Sequence, residues 1–161
     1  MHYEHLIQIN DPADPMLTPL SRQQLWRGLL RRVERPSEFL VGVEAVHIVE
    51  RGEGWLKREM QLGNLLVRDH VRFEALHSVH FDTAPSEQHQ GGSMRMQIEE
   101  PSEGALFVRF SYHTPLLEDG QYNAEEAQLI DYVKHAYRDT DVDAIRWIRE
   151  LAETGELDGE G

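Results

Sequence analysis

The sequence predicts one α+β domain in which a curved antiparallel β-sheet packs against a long C-terminal helix. Apolar residues recur with a period of two between Val43 and Pro115, which is the pattern of strands. From about residue 124 to residue 154 the period becomes helical. The chain has 161 residues without an internal repeat or a long linker, which fits one domain. We expect that domain over residues 1–154 and an acidic tail over residues 155–161.

The first part of the chain predicts one strand followed by a pair of helices. In residues 3–9 the odd-numbered positions are aromatic or aliphatic apart from His5, which indicates a half-buried strand. A helix is expected to begin near Ser21, because Ser21 and Gln24 have the spacing of a capping box. Pro36 ends this helix, and the segment PSEFL is expected to start a second, short one.

A meander of antiparallel strands is predicted next, because each run of alternating residues ends in a short turn or loop. The predicted strands are 43–50, 56–62, 65–73, 78–84, 93–99 and 105–114. Asn123 and Glu126 then form a predicted cap for the C-terminal helix, whose apolar stripe runs from Leu129 to Leu151 and keeps its phase through DTDVD. One helix of about 45 Å would therefore cover the apolar face of the sheet and could leave space beneath it.

The composition excludes several classes of function. The net charge is −13, from 16 basic and 29 acidic side chains, and it repels nucleic acids and anionic membranes, so we expect neither as a partner. The chain has no cysteine, which excludes disulfides, thiolate catalysis and zinc–thiolate sites. The lack of cysteine and of a signal-peptide pattern leads us to expect a cytoplasmic protein.

No metal ion or cofactor is expected. The chain has nine histidines, but His77 and His80 are three residues apart in or beside a strand and so point to opposite faces. His2 and His5 have the same spacing. The glycines in HQGGS precede a strand rather than a helix, so this segment lacks the context of a phosphate-binding loop.

Two charged residues lie on strand faces that are otherwise apolar. Arg58 alternates with leucine and methionine in the strand 56–62, and Asp69 alternates with valine and phenylalanine in the strand 65–73. Counting outward from the turn at Gly63 brings both to the same level of the sheet, within cross-strand reach. We expect them to pair, because an unpaired buried charge is costly. Arg58 would then meet a carboxylate, enolate or carbonyl oxygen of a ligand while Asp69 orients it; alternatively, the pair only satisfies itself.

Other candidates share these inward faces. His5 is a candidate general acid or base if it lies in a cavity, and otherwise a core histidine. Tyr112 and Tyr137 would either place hydroxyl groups near the cavity or donate to backbone acceptors. The remaining candidates either line an apolar ligand pocket or form ordinary core, and they are Met60, Phe73, Met94, Met96 and Phe110.

The chain resembles a known family over nearly its whole length. The segments that carry the resemblance are HYEHLIQINDP, LTPLSRQQLWRGLLRRVERPSEFL, LGNLLVRDHVRFEA, GGSMRMQIEEPSEGALFVRFSYHT and YVKHAYRDTDVDAIRWIRELAETG. They are similar to the AtaL-like family of small proteins of unknown function, in the helix-grip (START-like, SRPBCC) superfamily, which includes the birch-pollen allergen fold. The resemblance implies a helix-grip fold with a hydrophobic cavity between the sheet and the long helix. It also implies the activities of that superfamily, namely lipid and steroid carriage, plant-hormone sensing and polyketide cyclisation.

Three functions remain open at this point. The first is binding of a small hydrophobic molecule of lipid, polyketide or aromatic type, with Arg58, Asp69 and His5 as polar contacts. The second is an enzyme of polyketide cyclase/aromatase or lyase type, in which His5 transfers protons and Arg58 stabilises an oxyanion. The third is an interaction module with a filled core. A homodimer through a sheet edge is a further expectation, whereas fold alone does not choose among these functions.

Overall fold

A computed structural model describes residues 1–116 and 122–159, and it has the architecture that the sequence predicts. Seven antiparallel strands form one sheet in the order β1-β7-β6-β5-β4-β3-β2, so β2 to β7 are a meander and β1 pairs with β7. Their ends differ from the predicted ones by up to three residues. The strands are β1 (His2–Gln8), β2 (Ala45–Gly52), β3 (Trp55–Leu62), β4 (Leu65–Glu74), β5 (Ser78–Thr83), β6 (Gly92–Ser102) and β7 (Ala105–His113).

Both helices begin at the predicted capping boxes. Helix α1 (Arg22–Glu34) starts after Ser21, whose side-chain oxygen accepts a hydrogen bond from the Gln24 backbone N–H, while the Ser21 backbone N–H donates to Oε1 of Gln24. Asn123 and Glu126 make the same exchange at the start of helix α2 (Ala124–Glu153). The short helix predicted after Pro36 is a 3₁₀ turn, Pro36–Glu38.

The two helices pack on the inner face of the sheet and against each other. A glycine permits their closest approach, since a Cβ atom at Gly28 would lie 2.5 Å from Cγ2 of Ile148. The core between these layers is aliphatic and aromatic, and its largest fully buried members include Ile9, Leu25 and Phe110. Of the two helices, neither is long and apolar enough within the described residues to span a membrane.

The stripe predicted for α2 differs from the observed one at several positions. Leu129, predicted to face the core, is 45% exposed, whereas its neighbour Ile130 is buried. Asp141 lies in the segment DTDVD and is fully buried on the same face as Ala144 and Ile148. The inward face of α2 therefore carries a carboxylate that the apolar pattern did not include.

The segment after α2 stays in contact with the domain as far as it is described. Leu157 is only 2% exposed, and its carbonyl oxygen accepts a hydrogen bond from Arg27 of α1. Gln24 donates to Asp158. Leu157 thus holds this part of the predicted acidic tail against α1, while Glu156 and Asp158 remain exposed. Residues 160–161 lie outside the described part of the chain.

Candidate functional site

A cavity of about 420 Å³ lies between the inner face of the sheet and the two helices. Its volume is within the range of roughly 300–1,000 Å³ that is usual for small-molecule sites. Much of its wall is apolar or aromatic and comes from Leu40, Met60, Val67, Phe81 and Met94. A larger depression of about 540 Å³, beside Trp55 and His70, lies on the outer face of the β3–β4 hairpin and is not enclosed between the layers.

Six of the residues predicted as site residues line this cavity, and four do not. The six are Arg58, Asp69, Met60, Met94, Tyr112 and Tyr137. Met96 and Phe110 are fully buried in the core instead. Phe73 is half-buried and lies beside the outer depression, where the end of β4 has passed beyond the cavity. The fourth, His5, is described with its partners below.

Arg58 and Asp69 form the predicted pair. The register of β3 and β4 places them directly opposite each other, and Nε of Arg58 lies 2.9 Å from Oδ2 of Asp69. Thr83 of β5 donates to the other carboxylate oxygen at 2.6 Å. Arg58 also donates through Nη1 to the carbonyl oxygen of Val33, near the C-terminal end of α1. We call Arg58, Asp69 and Thr83 the Asp69 cluster.

Asp141 is the centre of a second buried polar group. Its carboxylate lies 2.9 Å from Nη1 of Arg32, 2.7 Å from Nε2 of His5 and 2.7 Å from the hydroxyl oxygen of Tyr112. These residues come from α2, α1, β1 and β7, respectively, so one side chain connects four elements. We call Asp141, Arg32, His5 and Tyr112 the Asp141 cluster.

The position of His5 differs from the predicted catalytic one. Its ring is stacked between those of Tyr3 and Phe110, with centroids 5.4 and 5.2 Å away, and it is not on the cavity wall. Its Nδ1 is buried without a hydrogen-bond partner in the described part of the protein. A hydrogen on Nδ1 would have no acceptor, so Nε2 carries it and donates to Asp141. This geometry makes His5 a core residue that binds Asp141.

Tyr112 lines the cavity with its ring but directs its hydroxyl group to Asp141. The ring lies parallel to that of Tyr137, with centroids 3.9 Å apart. Burial, together with the charge of Asp141, holds the pKa of the Tyr112 phenol above its ordinary value. The phenol is therefore a neutral hydrogen-bond donor whose hydrogen is already used.

The two arginines retain N–H groups for a ligand. Nη2 of Arg58 has no hydrogen-bond partner among residues 1–116 and 122–159, and the same is true of Nε and Nη2 of Arg32. None of these nitrogens is fully buried, so a ligand or solvent can reach them. Since both residues line the cavity, the cavity is where a ligand oxygen can accept hydrogen bonds from them.

The loop between β5 and β6 supplies a histidine at one side of the cavity. His89 lines the cavity, and its Nδ1 accepts a hydrogen bond from the Gly91 amide at 2.8 Å. Nε2 of this ring therefore carries the hydrogen. Thr114, also on the wall, has a buried hydroxyl oxygen without a partner in the described residues.

The sequence interpretation missed Arg32, Asp141 and His89. Arg32 stands in the run RRVER and Asp141 in DTDVD, both of which are typical of solvated helix surfaces. Helical spacing could have identified both residues, because positions three or seven residues apart share a helix face. Arg32 lies seven residues after the buried Leu25, and Asp141 lies three residues before the buried Ala144. No comparable periodic signal marks His89, because it lies in a loop.

Fold and cavity together define this chain as a helix-grip protein with a cavity between its sheet and helices. It belongs to the AtaL family, because the family model described as acetylaranotin biosynthesis cluster protein L matches residues 7–155. The resemblance noted in the sequence is thereby confirmed, as is the helix-grip fold. No curated protein sequence matches the chain.

Solved structures support the fold assignment. The Zhui aromatase/cyclase from Streptomyces sp. R1128 has a TM-score of 0.62 at 14% identity, with 94% of this chain and 95% of that one covered. Ara h 8.0201 has a TM-score of 0.60 at 13% identity, with 93% and 98% covered. The di-domain ARO/CYC StfQ from the steffimycin biosynthetic pathway has a TM-score of 0.65 at 13% identity. The match covers 95% of this chain and 50% of StfQ. At these identities the likeness concerns the fold alone.

Proposed function

We propose that this protein binds a small, mainly apolar molecule of lipid, polyketide or aromatic type in the cavity between sheet and helices. The observation that carries the proposal is the largely apolar wall of this cavity, interrupted by two arginines that have unpaired N–H groups. Such a site buries a hydrophobic body and orients it through one polar atom. Arg58 and Arg32 would donate to an oxygen of the ligand, and Asp69 and Asp141 would hold the two guanidinium groups in place.

The names of the family and of similar structures favour the same class of ligand. The family model is described by a biosynthesis cluster, and two of the similar structures are named as aromatase/cyclases, of which StfQ comes from a biosynthetic pathway. A molecule with fused or closing rings is an expected ligand for this chain on that analogy. Met60 and Met94 fit this role, because flexible thioether side chains adapt to a rigid ring.

A cyclase-type enzyme acting on a carbonyl compound in the same cavity is the second candidate. The names of the similar structures favour it, and the free N–H groups of Arg58 and Arg32 would stabilise a developing oxyanion. His5 is not suited to the proton transfer, since its ring is buried against Asp141. His89 is the imidazole on the cavity wall and replaces His5 as the candidate acid or base.

Native mass spectrometry of freshly purified protein tests the proposal. We expect a mass increment from a retained apolar molecule, or an increment and a thermal shift after addition of one from a panel of lipids, polyketides and aromatic compounds. Arg58→Ala should reduce retention, whereas Arg109→Ala, which alters an arginine paired with Glu99 on the outer face, should not. An empty protein that no compound stabilises would contradict binding and favour the interaction module. Chemical change of the retained molecule during incubation would favour the enzyme.

A further inference from the structure

The charged side chains around the cavity balance one another. Arg58 lies 2.9 Å from Asp69, and Arg32 lies 2.9 Å from Asp141. Besides Arg32, Arg58, Asp69 and His89, no charged or basic side chain is among the described residues that line the cavity. The two guanidinium groups and two carboxylates give a net charge of zero.

Neither histidine near the cavity has an acceptor for a second ring hydrogen among the described residues. A second ring hydrogen on His5 would sit on the buried, unpartnered Nδ1. A second ring hydrogen on His89 would displace the hydrogen bond that Nδ1 accepts from Gly91. The arginines Arg32 and Arg58 are each already paired with a carboxylate, so neither is free to compensate a charged ligand group.

The polar atoms that remain available at this site are mainly donors. Both carboxylate oxygens of Asp69 accept hydrogen bonds, from Arg58 and Thr83, and those of Asp141 are occupied by its cluster. Arg32 and Arg58 present unpaired N–H groups that can only donate, whereas the unpaired Thr114 hydroxyl on the same wall can donate as well as accept. An acceptor on the ligand is required to pair with the arginine N–H groups.

An anionic ligand group meets an additional electrostatic cost. The whole chain has a net charge of −13, which opposes the approach of an anion. A carboxylate that left water for this cavity would also make the site negative, because the wall already holds the Asp69 carboxylate and the Asp141 carboxylate lies behind it on Arg32. Desolvation of a charge is repaid only by a well-placed opposite charge, and both cations here are already paired.

We infer that the cavity selects a ligand whose polar group is a neutral acceptor, such as a ketone or other carbonyl, and discriminates against carboxylates. This inference rests on the proposed function, because it concerns the ligand of the same cavity. It makes the Asp69 cluster and the Asp141 cluster determinants of specificity as well as of stability. The sequence left a carboxylate, an enolate and a carbonyl oxygen open as the ligand group that Arg58 binds, and this inference selects the carbonyl oxygen.

Three probes of the same ring size test the inference by calorimetric titration near neutral pH, where the acid is ionised. They are naphthalene, 2-acetylnaphthalene and 2-naphthoate. The ketone carries a methyl group on its carbonyl carbon, where the naphthoate carries a charged oxygen. We expect the ketone to bind more tightly than naphthalene, and about tenfold or more tightly than the naphthoate. Equal or tighter binding of the naphthoate would overturn the inference.

A change in wall charge should reverse the discrimination. Asp69→Asn adds one unit of positive charge while keeping an oxygen for Arg58, so the naphthoate should gain about tenfold in affinity and the ketone should change much less. Asp82→Asn, on the outer face beside Arg72, is the matched control and should change neither affinity. If Asp69→Asn does not fold, Asp141→Asn alters the charge at the other pair in the same way. A folded variant without a gain for the naphthoate would overturn the inference.

The probes also distinguish this inference from the proposed function. If naphthalene binds as tightly as the ketone, the cavity binds apolar molecules but the selection for a neutral acceptor is wrong. If no probe binds and no member of the wider panel is retained, both fail together.

Discussion

Arg58 connects three parts of the molecule through different nitrogens. Nε binds Asp69 of the neighbouring strand, Nη1 binds the carbonyl oxygen of Val33 in α1, and Nη2 remains for the cavity. Burial lowers the pKa of its guanidinium, and the charge of Asp69 opposes that effect. A structural and a ligand-binding role thus coexist in one side chain.

Removal of Arg58 should therefore destabilise the fold. Arg58→Met leaves the Asp69 carboxylate buried without its cation, and we expect a loss of about 3–5 kcal/mol in the free energy of unfolding. Urea denaturation measures this loss. Arg109→Met breaks a partly exposed pair and should cost about 1 kcal/mol or less. The double variant Arg58→Met/Asp69→Leu should recover much of the loss, and a single variant as stable as the native protein would contradict the account.

Tyr112 gives the protein a dependence on alkaline pH. Because its pKa is raised in the folded state, the folded protein keeps this proton more tightly than the unfolded chain does. Its contribution to stability is complete below the unfolded pKa of about 10 and declines as the pH rises above that value. Unfolding free energies measured across this range should fall less steeply in Tyr112→Phe than in the native protein. Identical slopes would show that Tyr112 is not held protonated by the fold.

Asp141 determines how the elements are held together around the cavity. Strands β1 and β7 and helix α1 each provide one donor to this single carboxylate of α2. The Asp69 cluster does the same for β3, β4, β5 and the end of α1. Between them, the two clusters connect both helices to five of the seven strands.

Loss of the Asp141 carboxylate should be far more costly than loss of a nearby one. Asp141→Ala leaves Arg32 without its anion and His5 without its acceptor, so we expect about 3–5 kcal/mol of destabilisation. Asp143→Ala, two residues along α2, removes an exposed carboxylate and should change stability by about 0.5 kcal/mol or less. Chemical denaturation of both variants checks this difference, and similar values for the two would refute the role assigned to Asp141.

The difference between strand and helix explains which site residues were predictable. A strand has only two faces, and the residues that alternate with Arg58 are polar and typical of the solvated face, so Arg58 had to lie on the inner face. Counting from the turn at Gly63 then identified Asp69 as its partner. A helix has a broad boundary between faces, and a charged residue there is usually solvated. Arg32 and Asp141 satisfy each other across two helices, a tertiary contact that periodicity within one segment does not contain.

At the scale of the whole molecule, the cavity exists because α2 covers the sheet unevenly. Much of its C-terminal half packs tightly, with Ala144, Ile148 and Leu151 buried. Further towards its N-terminus, Ala136 and Tyr137 face the cavity instead of filling it. The element order and the long helix were predictable, but the volume between the layers depends on side-chain packing that no local pattern specifies.

The most direct test of the ligand-binding claim is to fill this space and measure binding. Ala136 is exposed on α2 and lines the cavity, so Ala136→Trp places a large ring there without disturbing the core. Ala127→Trp makes the same change on the same helix outside the cavity wall. Calorimetric titration with 2-acetylnaphthalene should give equal affinities for the native protein and Ala127→Trp, and an affinity about tenfold or more lower for Ala136→Trp. Equal binding by all three proteins would contradict a ligand site between the sheet and α2.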